Sequence, residues 1–264
     1  MVSGEVRKAR ERELHDHLRG DLRHDPHFSS NRKYYSISQS NQDFVNQWLA
    51  QRCRGKRVLD YCCGNGHYAM QLAELGARGF GIDISPVSIQ NAAREASSRG
   101  LGERAVFSVM DAESTGFPDS FFDYAVVNGV LHHLDLPRAY AELARILKPG
   151  GAVICTEALR HNVFIHAYRK LTPHLRSEWE VEHILGRDEI ELARRYFDRV
   201  EVARFFHLAD IAAVPFRNLP IFTPALRTLQ AVDEVLLRTP GLQWQAWMAV
   251  FILAHPKNKA AHLC

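Results

Sequence analysis

Three carboxylates in this chain each follow an apolar run whose length suits a β-strand. Asp60 ends the first run, Asp83 ends the second, and Asp111 follows the third. A turn containing Gly64 and Gly66 comes after the first run and leads into a segment with helical spacing. Such a turn needs glycine where the backbone takes a positive φ, or where a ligand leaves no room for a Cβ. Because a carboxylate after the second strand can accept hydrogen bonds from both hydroxyls of a ribose, the spacing predicts a site for a nucleoside cofactor.

Each of these residues also has a purely structural interpretation. A single aspartate after a strand is often the N-cap of the next helix. The spacing Gly64-x-Gly66-x-x-Ala69 satisfies the dinucleotide fingerprint as well, and a turn from strand to helix needs glycine for packing even without a ligand. The three aspartates together, at the ends of three successive strands, favour a ligand site along one edge of a sheet.

Strand-like runs alternate with helical segments through the middle of the chain. A fourth run, 121–127, ends at Asn128; an amphipathic helix is predicted over 137–147, and a turn at 147–151 leads into a fifth run over 152–157. This alternation is typical of an α/β fold with a doubly wound parallel sheet and helices on both faces. Such sheets bind their ligands at the carboxyl ends of the strands.

Five sequence features follow one another in a fixed order, namely VLDYCCGNG at 58–66, GIDIS at 81–85, MDAE at 110–113, NGVLHHL at 128–134 and LKPGG at 147–151. Together they resemble the class I S-adenosylmethionine-dependent methyltransferases, in particular those that act on small molecules. The resemblance covers residues 55–157 closely and the following stretch only in outline. It implies a Rossmann-like sheet of seven strands, an enzyme that transfers methyl groups, and S-adenosyl-L-methionine as the cofactor.

The resemblance also implies which residues contact the cofactor. These would be Asp60, Cys62, Gly64, Gly66 and Asn128 around the methionine part and sulfonium, Asp83 and Ile84 at the ribose, and Asp111 and Ala112 at the adenine. Cys62 stands where the family pattern usually has its first glycine, and we expect a small residue in a β-compatible conformation to be tolerated there. Tyr34 and Tyr35 precede a helix predicted from Ser40, where the family has a lid; simple packing is an equal alternative.

Methyl transfer from a sulfonium depends mainly on aligning donor and acceptor and on excluding water. A base is needed only when the acceptor must lose a proton. The candidate catalytic residues are His132 and His133 after the fourth strand, and Glu157 with His161 after the fifth. A histidine bonded to backbone at a helix start, or a carboxylate that caps a strand end, is the alternative in each case.

Cationic and aromatic residues are concentrated directly after the fifth strand. Arg169 and Arg176, with Tyr168, are candidate substrate-binding residues, because a guanidinium can hold a carboxylate with two parallel hydrogen bonds. The alternative is a solvated face on which these arginines are balanced by Glu178 and Glu180. The first interpretation predicts an acceptor that carries an acidic group.

The chain is predicted to form one domain over 1–264. A lid and cover segment occupies 1–54, the cofactor-binding core 55–157, and substrate-cap insertions 158–187 and 207–246. The first 27 residues have many charges and few apolar anchors, which predicts a solvated helix or partial disorder.

The second insertion separates strands predicted at 200–206 and 247–254. Connections of that length inside a compact domain usually have a function. It is unusually apolar, and helical spacing places Leu226, Leu229, Val232 and Leu236 near one face. A lid over a lipophilic substrate, a homodimer interface, and a cap that completes the core are the three interpretations.

Composition and charge argue against several kinds of binding partner, namely nucleic acid, membranes and metal ions. The net charge of +3 over 264 residues gives no reason to expect nucleic acid. No apolar run has transmembrane length and the N-terminus begins with charge, so we expect no membrane span and a cytoplasmic protein. The cysteines lack zinc-type spacing, which predicts no metal site and no structural disulfide; they are Cys53, Cys62, Cys63, Cys155 and Cys264.

The predicted function is methyl transfer from S-adenosylmethionine to a small, partly apolar organic molecule. Oxygen is favoured over nitrogen or carbon as the accepting atom. An RNA or protein methyltransferase of the same fold, an NAD-dependent oxidoreductase and a non-catalytic cofactor-binding protein are the alternatives.

Overall fold

A seven-stranded mixed sheet forms the centre of the computed structural model, which describes residues 4–20, 36–171 and 183–257. The strands lie in the order β3-β2-β1-β4-β5-β7-β6. Their bounds are β1 Arg57–Tyr61, β2 Arg78–Asp83, β3 Ala105–Val109, β4 Phe122–Asn128, β5 Leu147–Ala158, β6 Phe197–Phe206 and β7 Met248–Pro256. The predicted α/β class and its seven strands are therefore confirmed.

Strands β1 to β5 run parallel, whereas β7 runs antiparallel to both of its neighbours, β5 and β6. Because β6 is antiparallel to β7, it points in the same direction as β5. The carboxyl ends of β1 to β6 therefore meet at one edge of the sheet, as the alternating pattern predicted. The hairpin of β6 and β7 is interrupted by the long excursion that the sequence placed between them.

Helices cover both faces of the sheet, with bounds α1 Gly4–Gly20, α2 Gln39–Ala50, α3 His67–Glu74, α4 Pro86–Ser98, α5 Leu136–Ile146, α6 Val163–Leu171, α7 Arg187–Leu192 and α8 Phe222–Leu236. Adjacent strand residues point to opposite faces. Leu59 accordingly belongs to a core cluster with Leu143 of α5, and its neighbour Val58 belongs to a second cluster with Leu49 of α2. Burial on both faces explains the nearly continuous apolar runs of the central strands.

The segment 147–151 is strand and not the predicted turn. Strand β5 begins at Leu147, which pairs with Phe122, and the register shifts between Phe122 and Tyr124. A Cβ on Gly151 would lie 3.0 Å from the carbonyl oxygen of Asp123. The glycine in this segment therefore permits a close approach of two strands, whereas the sequence pattern placed it in a turn that leads into the fifth strand.

The N-terminal segment differs from the predicted solvated helix. Residues Gly4–Gly20 form α1, which contacts α4 and buries Arg7 and Glu11, 6% and 8% exposed. The helix therefore packs through charged side chains. Tyr34 and Tyr35 lie outside the described residues, and the chain resumes at Ser36, just before α2.

The excursion between β6 and β7 contains a 3₁₀-helix at Asp210–Phe216, then α8, then a second 3₁₀-helix at Leu242–Gln245. Leu226, Leu229 and Leu236 are half-buried, but Val232, predicted on the same face, is 41% exposed. Several other large apolar side chains of this excursion are exposed as well, namely Phe216, Leu219, Ile221 and Val235. The exposed apolar side chains leave part of the excursion without a partner among the described residues, and all three interpretations, a lid, a homodimer interface and a cap that completes the core, stay predictions.

Asp233 anchors α8 to the end of β6. Its buried carboxylate accepts hydrogen bonds from the backbone N–H groups of Leu208, Ala209 and Asp210, at 3.1, 2.6 and 3.4 Å. Burial raises the pKa of this carboxyl, although these N–H groups act against the shift. The carboxylate thus provides the acceptors for the start of the first 3₁₀-helix.

We expect Asp233→Ala to lower the free energy of unfolding by about 1–3 kcal/mol, because it leaves buried N–H groups without an acceptor. Urea denaturation would measure the change. Glu234→Ala is the matched control: Glu234 is 51% exposed and pairs with Arg204 at the surface, and such pairs contribute about 0–1 kcal/mol. Equal effects of the two substitutions would contradict the anchoring role of Asp233.

Candidate active site

A cavity of about 400 Å³ lies at the carboxyl edge of the sheet, between the ends of β1 to β4 and helix α1. Its volume suits a bound small molecule or cofactor. It brings together most of the residues that the sequence singled out for the cofactor, namely Asp60, Cys62, Gly64, Asp83, Ile84, Asp111, Ala112 and Asn128.

Asp60 is the most deeply placed of the three carboxylates, with 4% of its surface exposed. It accepts a hydrogen bond from the N–H of Ala69, in the first turn of α3, at 3.0 Å. Burial raises the pKa of Asp60 to about 7; the N–H groups of Ala69 and Tyr68 act against this shift, and the charge of Asp83 adds to it. Asp60 therefore caps a helix and can also change its charge near neutral pH.

Asp83 ends β2 and is 8% exposed. Its two oxygens accept from the N–H groups of Gly64 and Ser85, each at 2.9 Å. The carboxylate therefore ties the glycine turn after β1 to the start of α4. Each carboxylate oxygen has a further lone pair, so these bonds leave acceptor capacity toward the cavity.

Asp111 lies two residues beyond β3 and accepts from the N–H of Glu113 at 2.9 Å. Its second oxygen accepts from Lys8 of α1, with Nζ at 2.6 Å. Lys8 also lies 3.1 Å from Glu113, and the contacts with both carboxylates outweigh burial and raise the pKa of this lysine. All three aspartates thus accept hydrogen bonds within the protein and also line the cavity. None of them is the N-cap residue that the alternative interpretation expected, because Gly66 and Ser85 hold those positions in α3 and α4.

The turn after β1 takes positive φ at three positions, Cys62 at 59°, Gly64 at 52° and Gly66 at 76°. The expected β-compatible conformation of Cys62 is therefore wrong, and a left-handed conformation costs a residue with a Cβ about 1–2 kcal/mol. A Cβ on Gly66 would lie 2.4 Å from the ring of Phe107. Gly66 is absent from the cavity lining among the described residues, so the structure gives it a packing role.

Helix α1 contributes Arg7, Lys8, Glu11 and His15 to the cavity, and sequence reasoning missed all four. The guanidinium of Arg7 contacts Glu113 and also donates to the backbone carbonyl of His133. The available signal was the regular alternation of acidic and basic residues in this segment. Such patterns usually mark a solvated helix, which is why they did not indicate a site.

The two adjacent histidines differ in their surroundings. His133 lines the cavity, with Nδ1 3.2 Å from Oε2 of Glu11. His132 is not part of that lining among the described residues; its Nδ1 lies 2.9 Å from Oε2 of the fully buried Glu157. The other oxygen of Glu157 accepts from the N–H groups of Val130 and Leu131, at 2.8 and 2.7 Å. Glu157 therefore orders the whole loop that carries both histidines.

The predicted pairing of Glu157 with His161 is not seen, because the carboxylate contacts His132. The ring of His161 lies against Trp244, with centroids 6.1 Å apart. Burial, with the charge of Arg160, lowers the pKa of His161. His161 is also outside the cavity lining within the described ranges.

The candidate substrate residues lie largely beyond what the structure describes. Arg176 falls in the undescribed range 172–182, and Tyr168 and Arg169 belong to the last part of α6, 168–171, where only the backbone is described. Among the described residues, no group of histidine, cysteine and acidic side chains is arranged to hold a metal ion. No helix in the same part of the chain is long and apolar enough to cross a membrane.

Residues 59–155 match the protein family described as "Methyltransferase domain". Aklanonic acid methyltransferase DauC of Streptomyces sp. is 36% identical over 154 residues, which cover 53% of this chain and 69% of that protein. The 2-phytyl-1,4-naphtoquinone methyltransferase of Nostoc punctiforme is 30% identical over 177 residues, 58% of this chain and 76% of the relative. The probable tocopherol O-methyltransferase of Oryza sativa is 30% identical over 187 residues and covers 65% of this chain, but the chain spans only 47% of that protein.

Solved structures agree on the fold. Phosphoethanolamine N-methyltransferase 2 of Haemonchus contortus, bound to S-adenosyl-L-methionine, has a TM-score of 0.61 at 19% identity, covering 92% of this chain and 60% of that one. The [4+2]-cyclase SpnF has a TM-score of 0.54 at 26% identity, covering 83% and 82%. A cyclase among these neighbours means that the fold alone does not fix the reaction.

The fold alone does not determine the protein family, but the similarity to the sequence relatives does. This chain belongs to the class I S-adenosylmethionine-dependent methyltransferases, and it is an enzyme of that class. The family uses S-adenosylmethionine, and the cavity fits such a group: its volume, the carboxylate after β2 and the glycine turn after β1 are what a nucleoside requires.

Because the pKa of Asp60 is raised, its contact with the cofactor can be tested by the pH dependence of binding. The methionine part of the cofactor carries an ammonium, and a nearby positive charge favours the ionised carboxylate. Below the pKa of about 7 the carboxyl of Asp60 is protonated, so binding of S-adenosylhomocysteine should release a proton and weaken as the pH falls. Calorimetry in buffers of different ionisation enthalpy would count that proton. Asp60→Asn is the control without an ionisable group, and a wild-type signal independent of the buffer would contradict the expectation.

The position of Asp83 generates a second test. Asp83→Asn keeps the shape of the side chain but removes its charge and one acceptor. We expect the affinity for S-adenosylhomocysteine to fall about 10- to 100-fold, which corresponds to about 1.5–3 kcal/mol for hydrogen bonds to a charged group. Titration calorimetry would measure it. Asp198→Asn is the matched control, because Asp198 is 66% exposed on β6, far along the sheet from β2. Unchanged affinity in Asp83→Asn would refute the ribose contact.

Proposed function

We propose that this enzyme transfers the methyl group of S-adenosylmethionine to a small, partly apolar organic acceptor, with oxygen favoured as the accepting atom. The observation that carries the proposal is the meeting of three aspartates and a carboxylate-paired histidine in one cavity at the sheet edge. The aspartates suit a nucleoside cofactor, and the histidine suits proton removal from an acceptor.

The names of the relatives support a small-molecule acceptor. They refer to aklanonic acid, to a phytyl naphthoquinone and to tocopherol, and the last name specifies an O-methyltransferase. We therefore infer an acceptor of the quinone or polyketide kind with an apolar body. An acidic group on that acceptor, held by Arg169 or Arg176, remains a hypothesis that rests on sequence alone.

When bound, S-adenosylmethionine supplies a methyl group activated by a sulfonium. We propose that Asp83 and Ile84 hold its ribose, Asp111 and Ala112 its adenine, and that Asp60 and Gly64 hold its methionine part. Asn128, exposed at the end of β4, would face the sulfonium. Helix α1 would exclude water from the same space, since its Arg7 and Glu11 are buried against the cavity.

We assign the role of general base to His133, because it lines the cavity and His132 does not. With a proton on Nδ1, facing Glu11, the second ring nitrogen Nε2 is the one that can accept a proton from an acceptor hydroxyl. The bonds from Glu157 to His132 and to the backbone of its loop suit a supporting role. An acceptor that is already ionised would need neither histidine as a base.

Turnover with a panel of hydroxylated quinones, phenols and polyketide acids tests the reaction class, with S-adenosylhomocysteine formation as the readout. Calorimetry with S-adenosylmethionine and with NAD, run on the same protein, addresses the oxidoreductase alternative. Binding of NAD without binding of S-adenosylmethionine would overturn the proposal.

With an acceptor from that panel, we expect His133→Gln to lower kcat about 100-fold or more while leaving the affinity for S-adenosylhomocysteine nearly unchanged. His132→Gln should have a smaller effect on kcat and a larger one on stability, since it removes a partner of buried Glu157. His255→Gln, at an exposed position near the end of β7, is the control. A larger loss of kcat in His132→Gln than in His133→Gln would transfer the base assignment to His132.

A further inference from the structure

Glu11 reaches the candidate base from a different part of the chain. Its Oε2 lies 3.2 Å from Nδ1 of His133, within ion-pair distance but outside the angle of a good hydrogen bond, and the residue is only 8% exposed. The ring of His15, one turn further along α1, meets the ring of His133 edge-on at 5.9 Å. Helix α1 therefore places one carboxylate and one aromatic ring against the histidine.

Three residues of α1 fix the helix over the cavity and so determine where Glu11 lies. Arg7 is bound to Glu113 and to the carbonyl of His133. Lys8 bonds to Asp111 at 2.6 Å, and Asp16 accepts from the hydroxyl of Ser85 at 2.5 Å. These contacts span the segments after β2, β3 and β4, so α1 is held along the length of the cavity.

The charges around the pair keep Glu11 ionised. Although burial acts to raise it, the contact with His133, together with the charges of His15 and Arg7, holds the pKa of the Glu11 carboxyl below its ordinary value. An ionised carboxylate accepts hydrogen bonds and donates none. It therefore favours a proton on the histidine nitrogen that faces it.

We propose that Glu11 is a positioning residue for His133: its negative charge, 3.2 Å from Nδ1, favours a proton on that nitrogen and leaves Nε2 as the nitrogen that accepts a proton from the acceptor. This inference rests on the proposed role of His133 as the base. Pairing of a histidine with a carboxylate fixes both the tautomer and the orientation of the ring.

The location of Glu11 gives this pairing a further consequence. Because the same helix both covers the cavity and supplies the carboxylate, His133 acquires its reactive tautomer only when α1 is in place. Proton removal is thereby coupled to the exclusion of water.

Nitrogen NMR of histidine-labelled protein bound to S-adenosylhomocysteine reports the tautomer without any acceptor. His133→Gln identifies the signal by its loss. In the wild type we expect neutral His133 to carry its proton on Nδ1, and in Glu11→Gln we expect a mixture of the two tautomers. Glu11→Ala, which retains helix propensity, should show the same loss, so the result does not depend on one variant. Glu13→Gln, exposed on the same helix, is the matched control and should resemble the wild type.

A predominant Nε2–H tautomer in the wild type, or an unchanged tautomer in both Glu11 variants, would overturn the proposal. With a known acceptor, Glu11→Gln should lower kcat about 10- to 100-fold, as loss of an orienting partner does, with nearly unchanged affinity for S-adenosylhomocysteine. A loss of that affinity equal to the loss of kcat would instead indicate a merely structural role. Failure of the wild type to bind S-adenosylhomocysteine would count against the proposed function, and the tautomer measurement in free protein would still test Glu11.

Discussion

Buried carboxylates gathered at one edge of a parallel sheet are the constraint on which the rest of this site depends. Asp60 and Asp83 lie at the carboxyl ends of the neighbouring strands β1 and β2, and the charge of Asp83 helps to raise the pKa of Asp60. Burying like charges together is unfavourable unless each finds donors. The backbone provides them, through the start of α3 for Asp60 and through the glycine turn for Asp83. The positive φ at Gly64 belongs to the turn that places its N–H on Asp83.

Helix α1, which lies outside the sheet, supplies positive charges that balance the remaining carboxylates. Lys8 and Arg7 bring positive charge to Asp111 and Glu113, for which the ends of the strands provide too few donors. The helix has few apolar anchors, so its position depends on these ion pairs, and ion pairs that are partly buried are screened less by salt than surface pairs. Opening of α1 would expose the carboxylates to water, which would restore their solvation. The same charges that define the cofactor site therefore determine how firmly its cover is held.

The sheet was predictable because strands that are buried on both faces have nearly continuous apolar sequences. Short apolar runs such as 121–127, alternating with helical segments, are typical of central strands, and the polar residue after each run marks the carboxyl edge. The start of β5 was not predictable, since proline and glycines at 149–151 are the usual signal of a turn. The left-handed φ of Cys62 is likewise imposed by its place in the turn, against the preference of the residue. The position of α1 could not be predicted, because long-range ion pairs produce no periodic pattern in the sequence.

The loop after β4 shows how one carboxylate can serve structure while another serves chemistry. Glu157 is fully buried and satisfies two backbone N–H groups and His132, so its removal would disturb the whole loop. Glu11 is borne by α1 and lies within ion-pair distance of the side chains of His133 and His15, so its removal should change the histidine more than the fold. The rings of His132 and His133 are 4.2 Å apart, yet their partners come from β5 and from α1. The partner from β5 orders the loop that carries both rings, and in our proposal the partner on α1 determines the tautomer of His133.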